Sequence, residues 1–376
     1  MRDVVIVEAV RTPIGRRNGA LAGIRADDLL ASVLRESVRR AGVEPALVED
    51  VIAGCVTQTG EQGANVARTG VLLAGFPVEV AATSVNRQCG SSHQAIHFAA
   101  QAIASGDEDV VIAAGVESMS RVPLGSDYGE WNPRLMERHP LVNQGVAAEM
   151  LVKQYGLTRE ECDRYSLESH RRAAAATDEG RFRREIIPVT GNGGVTVTAD
   201  EGIRRDTTLE KLALLPPAFQ AGGHITAGNS SQISDGAAAL LLMSAQRANA
   251  LGLRPRARIV ARTVVGSDPV IMFTGVAPAT RRALDRMNLR MSGVDVVEIS
   301  EAFAPVVLAW AADVEPDMAR VNPNGGAIAL GHPVGASGAR LMTSLLHELE
   351  RRGGRYGLQV VCIGWGMATA TVVERL

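Results

Sequence analysis

Two stretches far apart in this chain follow the same plan, and any fold for it must contain that plan twice. In the first, Val85-Asn86 leads through a glycine turn into an apolar helical period and then into Val110-Val111-Ile112-Ala113-Ala114-Gly115. In the second, Val321-Asn322 leads to GHPVGASG, another apolar helical period, and Val360-Val361-Cys362-Ile363-Gly364. A duplicated α/β unit with a site at the junction of its halves is the economical reading. Other short β-branched runs, VVIVEA at 4–9, DVIAG at 50–54 and DVVEIS at 295–300, alternate with helical periods and extend the α/β pattern. One such period, Asp27 to Arg40, puts Leu30, Val33, Leu34 and Val38 on one face; 92–105 and 337–352 do likewise.

The middle of the chain breaks the rhythm. It opens with RVPLGSDYGEWNPRLMERHP, turns helical after the capping box Thr158-x-x-Glu161, and passes through GNGGVTVTADEG and Pro216-Pro217. The expected organisation is therefore a first half from 1–115 plus 235–258, an inserted loop domain at 116–234 that covers the site, and a second half at 259–376. At 376 residues the chain exceeds one ordinary domain.

The turns of the duplicated units carry the chemistry. Cys89, in VNRQCGSSHQA, ends an extended segment and opens a helix, with Ser91 and Ser92 as expected N-caps. A thiol there has its thiolate favoured by unpaired N–H groups, so a lowered pKa is expected. His332 lies among Gly331, Pro333, Gly335 and Gly338, where an imidazole has room to act on a thiol. Cys362 leaves a buried strand into a turn with Gly364 and Gly366, placed for general acid/base work, and backbone N–H groups of that turn could bind an oxyanion. Taken singly, each cysteine reads as a buried structural residue. Together, two thiols and one imidazole are the parts of an acyl-transfer site. His93, His97, His139, His170, His224 and His347 need no special role.

Composition excludes other classes. The formal charge is −2 with no basic stripe interleaved with aromatics, which gives nucleic-acid binding no support. No apolar run approaches a membrane span. The four cysteines, at 55, 89, 162 and 362, lack C-x-x-C spacing, and no disulfide framework is expected. The start runs straight into Val4-Val5-Ile6-Val7 without a signal pattern, and Glu-Arg-Leu at the end is not a peroxisomal address. A bacterial, cytoplasmic protein is expected.

The ordered elements EAVRTPIGRRNGAL, VNRQCGSS, GVESMS, TAGNSSQISDGAAA, SEAFA, NPNGGAIALGHPVGASGAR and CIGWG resemble the thiolase family along nearly the whole chain. The resemblance implies duplicated βαβαβαββ halves in five-layer α-β-α-β-α packing with an inserted loop domain, and a homodimer or dimer of dimers. It implies that Cys89 is acylated, that His332 accepts its proton and helps bind the thioester oxygen, and that Cys362 exchanges the α-proton. It also implies an oxyanion hole from the backbone of Cys89 and Gly364, and contacts to CoA from Arg204 and Ser231. The substrates would be CoA and acyl-CoA, with no metal or other cofactor.

Three positions depart from the family's pattern. Ser300 stands where an asparagine usually positions an oxyanion-hole water, Trp365 replaces a glycine beside Cys362, and Gln144 stands where short-chain biosynthetic members have methionine. With the shorter loop at 119–142, these favour a degradative 3-ketoacyl-CoA thiolase over an acetoacetyl-CoA synthase. The run from Ala309 to Leu376 looks like actinobacterial thiolases, some of which act on lipid or sterol side chains. A catalytically weakened acyl-CoA-binding paralogue is the alternative. A ketoacyl synthase, which pairs cysteine with two histidines, is opposed by the second cysteine.

Overall fold

The computed structural model describes residues 2–376. Its first half contributes strands β1 (Val4–Arg11), β2 (Asp50–Gly54), β3 (Ala81–Val85), β4 (Val110–Ser118) and β5 (Ser234–Ser244); its second contributes β6 (Ala257–Gly266), β7 (Val296–Ile299), β8 (Tyr356–Ile363) and β9 (Met367–Arg375). The spatial order is β7-β8-β9-β6-β1-β5-β4-β2-β3. Each half thus repeats one mixed arrangement. In the first, β3, β2 and β4 are parallel, and β5 and β1 antiparallel. In the second, β7 and β8 are parallel, and β9 and β6 antiparallel. The second half keeps a trace of the outer strand as well, in the parallel bridge Val297–Val321. A short pairing of Val5 and Ile6 with Arg258 and Ala257 joins the two sheets.

Helices α1 (Ala26–Ala41) and α2 (Val66–Leu73) cover the outer face of the first sheet through Leu30, Val33, Leu34 and Val71. Helices α3 (Ser91–Ser105) and α8 (Ser337–Arg352) lie between the sheets. Their Ile96, Ala99, Ile103, Met342, Leu345 and Leu349 share one core with β-strand residues of both halves, such as Leu240 and Val373. Helices α6 (Val276–Asp285) and α7 (Ala304–Val314) cover the outer face of the second sheet. This is the five-layer α-β-α-β-α packing that the resemblance implies.

The residues between β4 and β5 carry helices α4 (Gln144–Tyr155) and α5 (Arg159–Asp178). The capping box at Thr158 and Glu161 forms as the spacing predicts. Although this segment leaves and re-enters the first sheet, it docks on the second half. Ala148, Leu151, Val152 and Cys162 join the core around α7, and Tyr165 donates to Glu301 at 2.7 Å.

The two central helices approach at their N-termini closely enough that side chains are forbidden there. A Cβ on Gly338 would overlap the backbone of His93 in α3, and the Ala339 N–H donates to Ser92 Oγ at 2.9 Å. Gly338→Ala should cost about 1–3 kcal/mol or more, seen as a lower urea midpoint; an unchanged midpoint would show that the helices can separate freely.

Candidate active site

Cys89 sits at a strand–turn–helix junction. Asn86 Oδ1 accepts from the Gln88 N–H, and Gln88 takes a left-handed conformation at φ +47°. The helix that follows starts with Gly90 at the cap, not with a serine cap as the sequence suggests. Ser91 is used instead to brace the turn: its Oγ accepts from the Arg87 N–H and donates to the Gln88 carbonyl. Ser92 is spent on α8. The Cys89 turn touches the Cys362 turn, since a Cβ on Gly90 would overlap the Ile363 side chain.

Cys89 is 7 % exposed and Cys362 1 %. The expected lowering of the Cys89 pKa is corrected by the structure. Burial pushes its thiol up to about 12, with the neighbouring Cys362 adding to the rise. The backbone N–H groups of Cys89 and Gly364 both donate toward its sulfur and pull the other way, but do not offset desolvation. Cys362 is likewise raised by burial, to about 11, against hydrogen bonds from Ser300 and the Ala302 backbone. Both thiols therefore rest as S–H, and reaction requires a base.

His332 has the form of that base. Ser337 Oγ donates to the Pro333 carbonyl, so it accepts from His332 Nδ1 at 2.7 Å. The proton is thereby fixed on Nδ1, and Nε2 keeps its lone pair. That Nε2 is buried and has no hydrogen-bond partner. Burial, and secondarily the charge of Arg340, lowers the pKa of His332 to about 4, so it is neutral and able to accept a proton at ordinary pH.

Ser300 reaches the second thiol. Its hydroxyl lies 3.0 Å from Cys362 Sγ and accepts from the Cys362 N–H at 3.1 Å. This bond orients the second thiol. Ser231 lines the main cavity of about 720 Å³, together with His332, Gln144, Phe303 and Trp365. Arg204 is not on that wall; it is exposed, and its backbone N–H donates to His170 Nδ1. Gly364 faces Gln88 and Gln144.

Two buried carboxylates that sequence reasoning passed over hold these loops. Glu117 accepts from the N–H groups of Val56, Thr57 and Gly335 and from Gln62 Nε2. It thus ties the His332 loop to the first half. Glu301 accepts from Tyr165, Ser169, Asn322 and the Ile328 N–H, which ties α5 and the start of the same loop to the second half. Their signal was present in GVESMS and SEAFA, but nothing in spacing shows which loop a glutamate will clamp. Among the described residues, no helix is long and apolar enough to cross a membrane.

Two buried thiols in turns that touch, with a neutral imidazole on the wall of the main cavity, are the parts of a cysteine-dependent acyl-transferring enzyme. The chain matches the thiolase N-terminal domain over residues 4–246 and the thiolase C-terminal domain over 253–375; it belongs to the thiolase family. It is 49% identical to the steroid 3-ketoacyl-CoA thiolase FadA6 of Mycobacterium tuberculosis, over 100% of this chain and 95% of that protein. It is 48% identical to a 3-ketoacyl-CoA thiolase of Marinobacter nauticus, over 100% and 99% respectively. The Bacillus anthracis acetyl-CoA acetyltransferase superposes with a TM-score of 0.94 at 43% identity, covering 100% of this chain and 99% of that one.

Two outcomes follow. Ser337→Ala frees His332 Nδ1 and leaves a buried donor unpaired, so turnover should fall about tenfold in steady-state kinetics and stability by about 1–3 kcal/mol, read as a lower urea midpoint. His93, His170 and His332 are held neutral by burial, with pKa values of about 3, 4 and 4 against an ordinary 6.5. The unfolded chain takes up these protons first, so their stabilisation is present above pH 6.5 and is lost as pH falls toward about 4. A melting temperature constant between pH 7 and 4 would contradict this.

Proposed function

We propose that the protein cleaves 3-ketoacyl-CoA with CoA to acetyl-CoA and a shortened acyl-CoA, in the cytoplasm and in the degradative direction of β-oxidation. The observation that carries the reading is the sulfur of Cys89 seated between two backbone donors beside a second thiol, in a protein whose His332 keeps an unpartnered lone pair on Nε2. The names of the full-length relatives support the substrate class.

In this reading His332 Nε2 takes the Cys89 proton, and the thiolate attacks the C3 carbonyl. The resulting alkoxide collapses, the C2–C3 bond breaks, and its electron pair leaves on the acetyl-CoA enolate. Cys362 gives its proton to C2. The incoming CoA thiol returns a proton to Cys362, and its sulfur attacks the acyl group on Cys89. The departing Cys89 sulfur recovers its proton from His332, which closes a ping-pong cycle. Donors from Cys89 and Gly364 suit the thioester oxygen of the acylated cysteine. Ser300 serves here by orienting Cys362.

Ser231 and Arg204 are proposed to contact CoA, Ser231 from the cavity wall and Arg204 from the surface beyond it. The reaction draws on no metal or further cofactor. A homodimer or dimer of dimers is proposed with it, supported by the outer edge of β3, which ends the sheet order, and by exposed Leu72, Leu73 and Val78 nearby.

The test follows loss of the ketoacyl enolate absorbance on mixing the protein with CoA and 3-ketoacyl-CoAs of increasing length. Wild type should turn over, Cys89→Ala should lose about 10³-fold or more, and mass spectrometry without CoA should find an acyl group on Cys89. No turnover at any length, together with no adduct, sinks the proposal.

A further inference from the structure

The turn after Cys362 keeps a glycine's backbone at a position that holds tryptophan. Trp365 has φ +62° and is followed by Gly366 at φ +76°. A bulky side chain in this region is a genuine outlier that persists only where its surroundings demand it. The surroundings are two other aromatic rings from the inserted segment. The Trp365 indole meets Trp131 edge-on at 5.3 Å and Tyr128 at 5.9 Å, and Tyr128 and Trp131 lie 6.0 Å apart. These separations are those of favourable aromatic pairs.

The three rings form a wall with space on both sides. On one side is the cavity of about 720 Å³ that reaches His332. On the other is a cavity of about 510 Å³ bounded by Arg87, Gln88, Asp127 and Met367. Tyr128, Trp131 and Trp365 are the residues common to both linings. The wall also begins at the nucleophile, because the Tyr128 hydroxyl donates to the side chain of Gln88, the residue before Cys89.

We propose that Trp365 is a specificity-determining partition. It ends the acyl site at the ring wall, so that the protein takes short and medium acyl chains and denies long ones the second cavity. The partition rests on the 3-ketoacyl-CoA reading above. Replacing the indole with glycine relieves the φ constraint and joins the two spaces in a single step. Trp131→Ala breaches the same wall from the inserted segment, with every residue of the Cys362 turn kept.

The experiment compares kcat/KM for acetoacetyl-CoA and 3-ketohexadecanoyl-CoA in wild type, Trp365→Gly and Trp131→Ala. Wild type should favour the short substrate. In both variants the long-to-short ratio should rise by about tenfold or more, the effect of admitting apolar groups to a pocket that excluded them. A wild type that takes the long substrate as well as the short overturns the partition and leaves the thiolase reading standing. So does an unchanged ratio in both variants. Failure of all three proteins on both substrates, with no acyl adduct on Cys89, instead removes the thiolase reading and this inference with it.

Discussion

The arrangement of this molecule depends on how closely α3 and α8 meet at their N-termini. One helix follows Cys89 and the other follows the His332 loop, so their separation sets how far the thiol lies from the imidazole. Gly338 lets α8 lie against the backbone of His93, and Ser92 bonds the two helices directly. The sheets then pack outside this pair, with a shared core of Ile96, Ile103, Leu345 and Leu349. Glu117 completes the joint by holding Gly335 of one half to Val56 and Thr57 of the other. A catalytic pair built from two halves gains rigidity from the layer that separates their sheets.

Much of this was legible in the chain. The repeated strand–turn–helix plan showed itself through two glycine turns followed by apolar periods, and those periods became α3 and α8. Cys89, His332 and Cys362 could be picked out because each stands in a turn of small residues. What could not be read were partners fixed by tertiary contact. Ser300 was visible as a departure, but its bond to Cys362 depends on β7 and β8 being neighbours. The Trp365 wall needs Tyr128 and Trp131 from the inserted segment. The Cys89 pKa went the other way from the local expectation because a helix terminus is a short-range effect, whereas burial acts on the whole thiol.

Three strained backbone positions flank the turns of the site. Gln88 precedes Cys89, Asn322 opens the segment that leads to His332, and Trp365 follows Cys362. All three adopt positive φ without being glycine. Each is held from outside: Gln88 by Asn86 and Ser91, Asn322 by Ile299 and Glu301, Trp365 by its two aromatic neighbours. The turns are stiff because their least favourable residues are the ones most firmly tied.

The pairing of β1 with β5 has a bearing on how the chain comes into being. Val4 lies opposite Ser244, and Ile6 also meets Ala257, so the first strand synthesised waits for sequence made much later. A nascent chain ending before residue 234 has neither strand that flanks β1, and its inserted segment lacks α7 to dock on. Contacts of such long sequence separation close slowly. Cys89 is therefore emitted from the ribosome well before Gly364, and its sulfur meets that backbone donor only when synthesis is nearly finished.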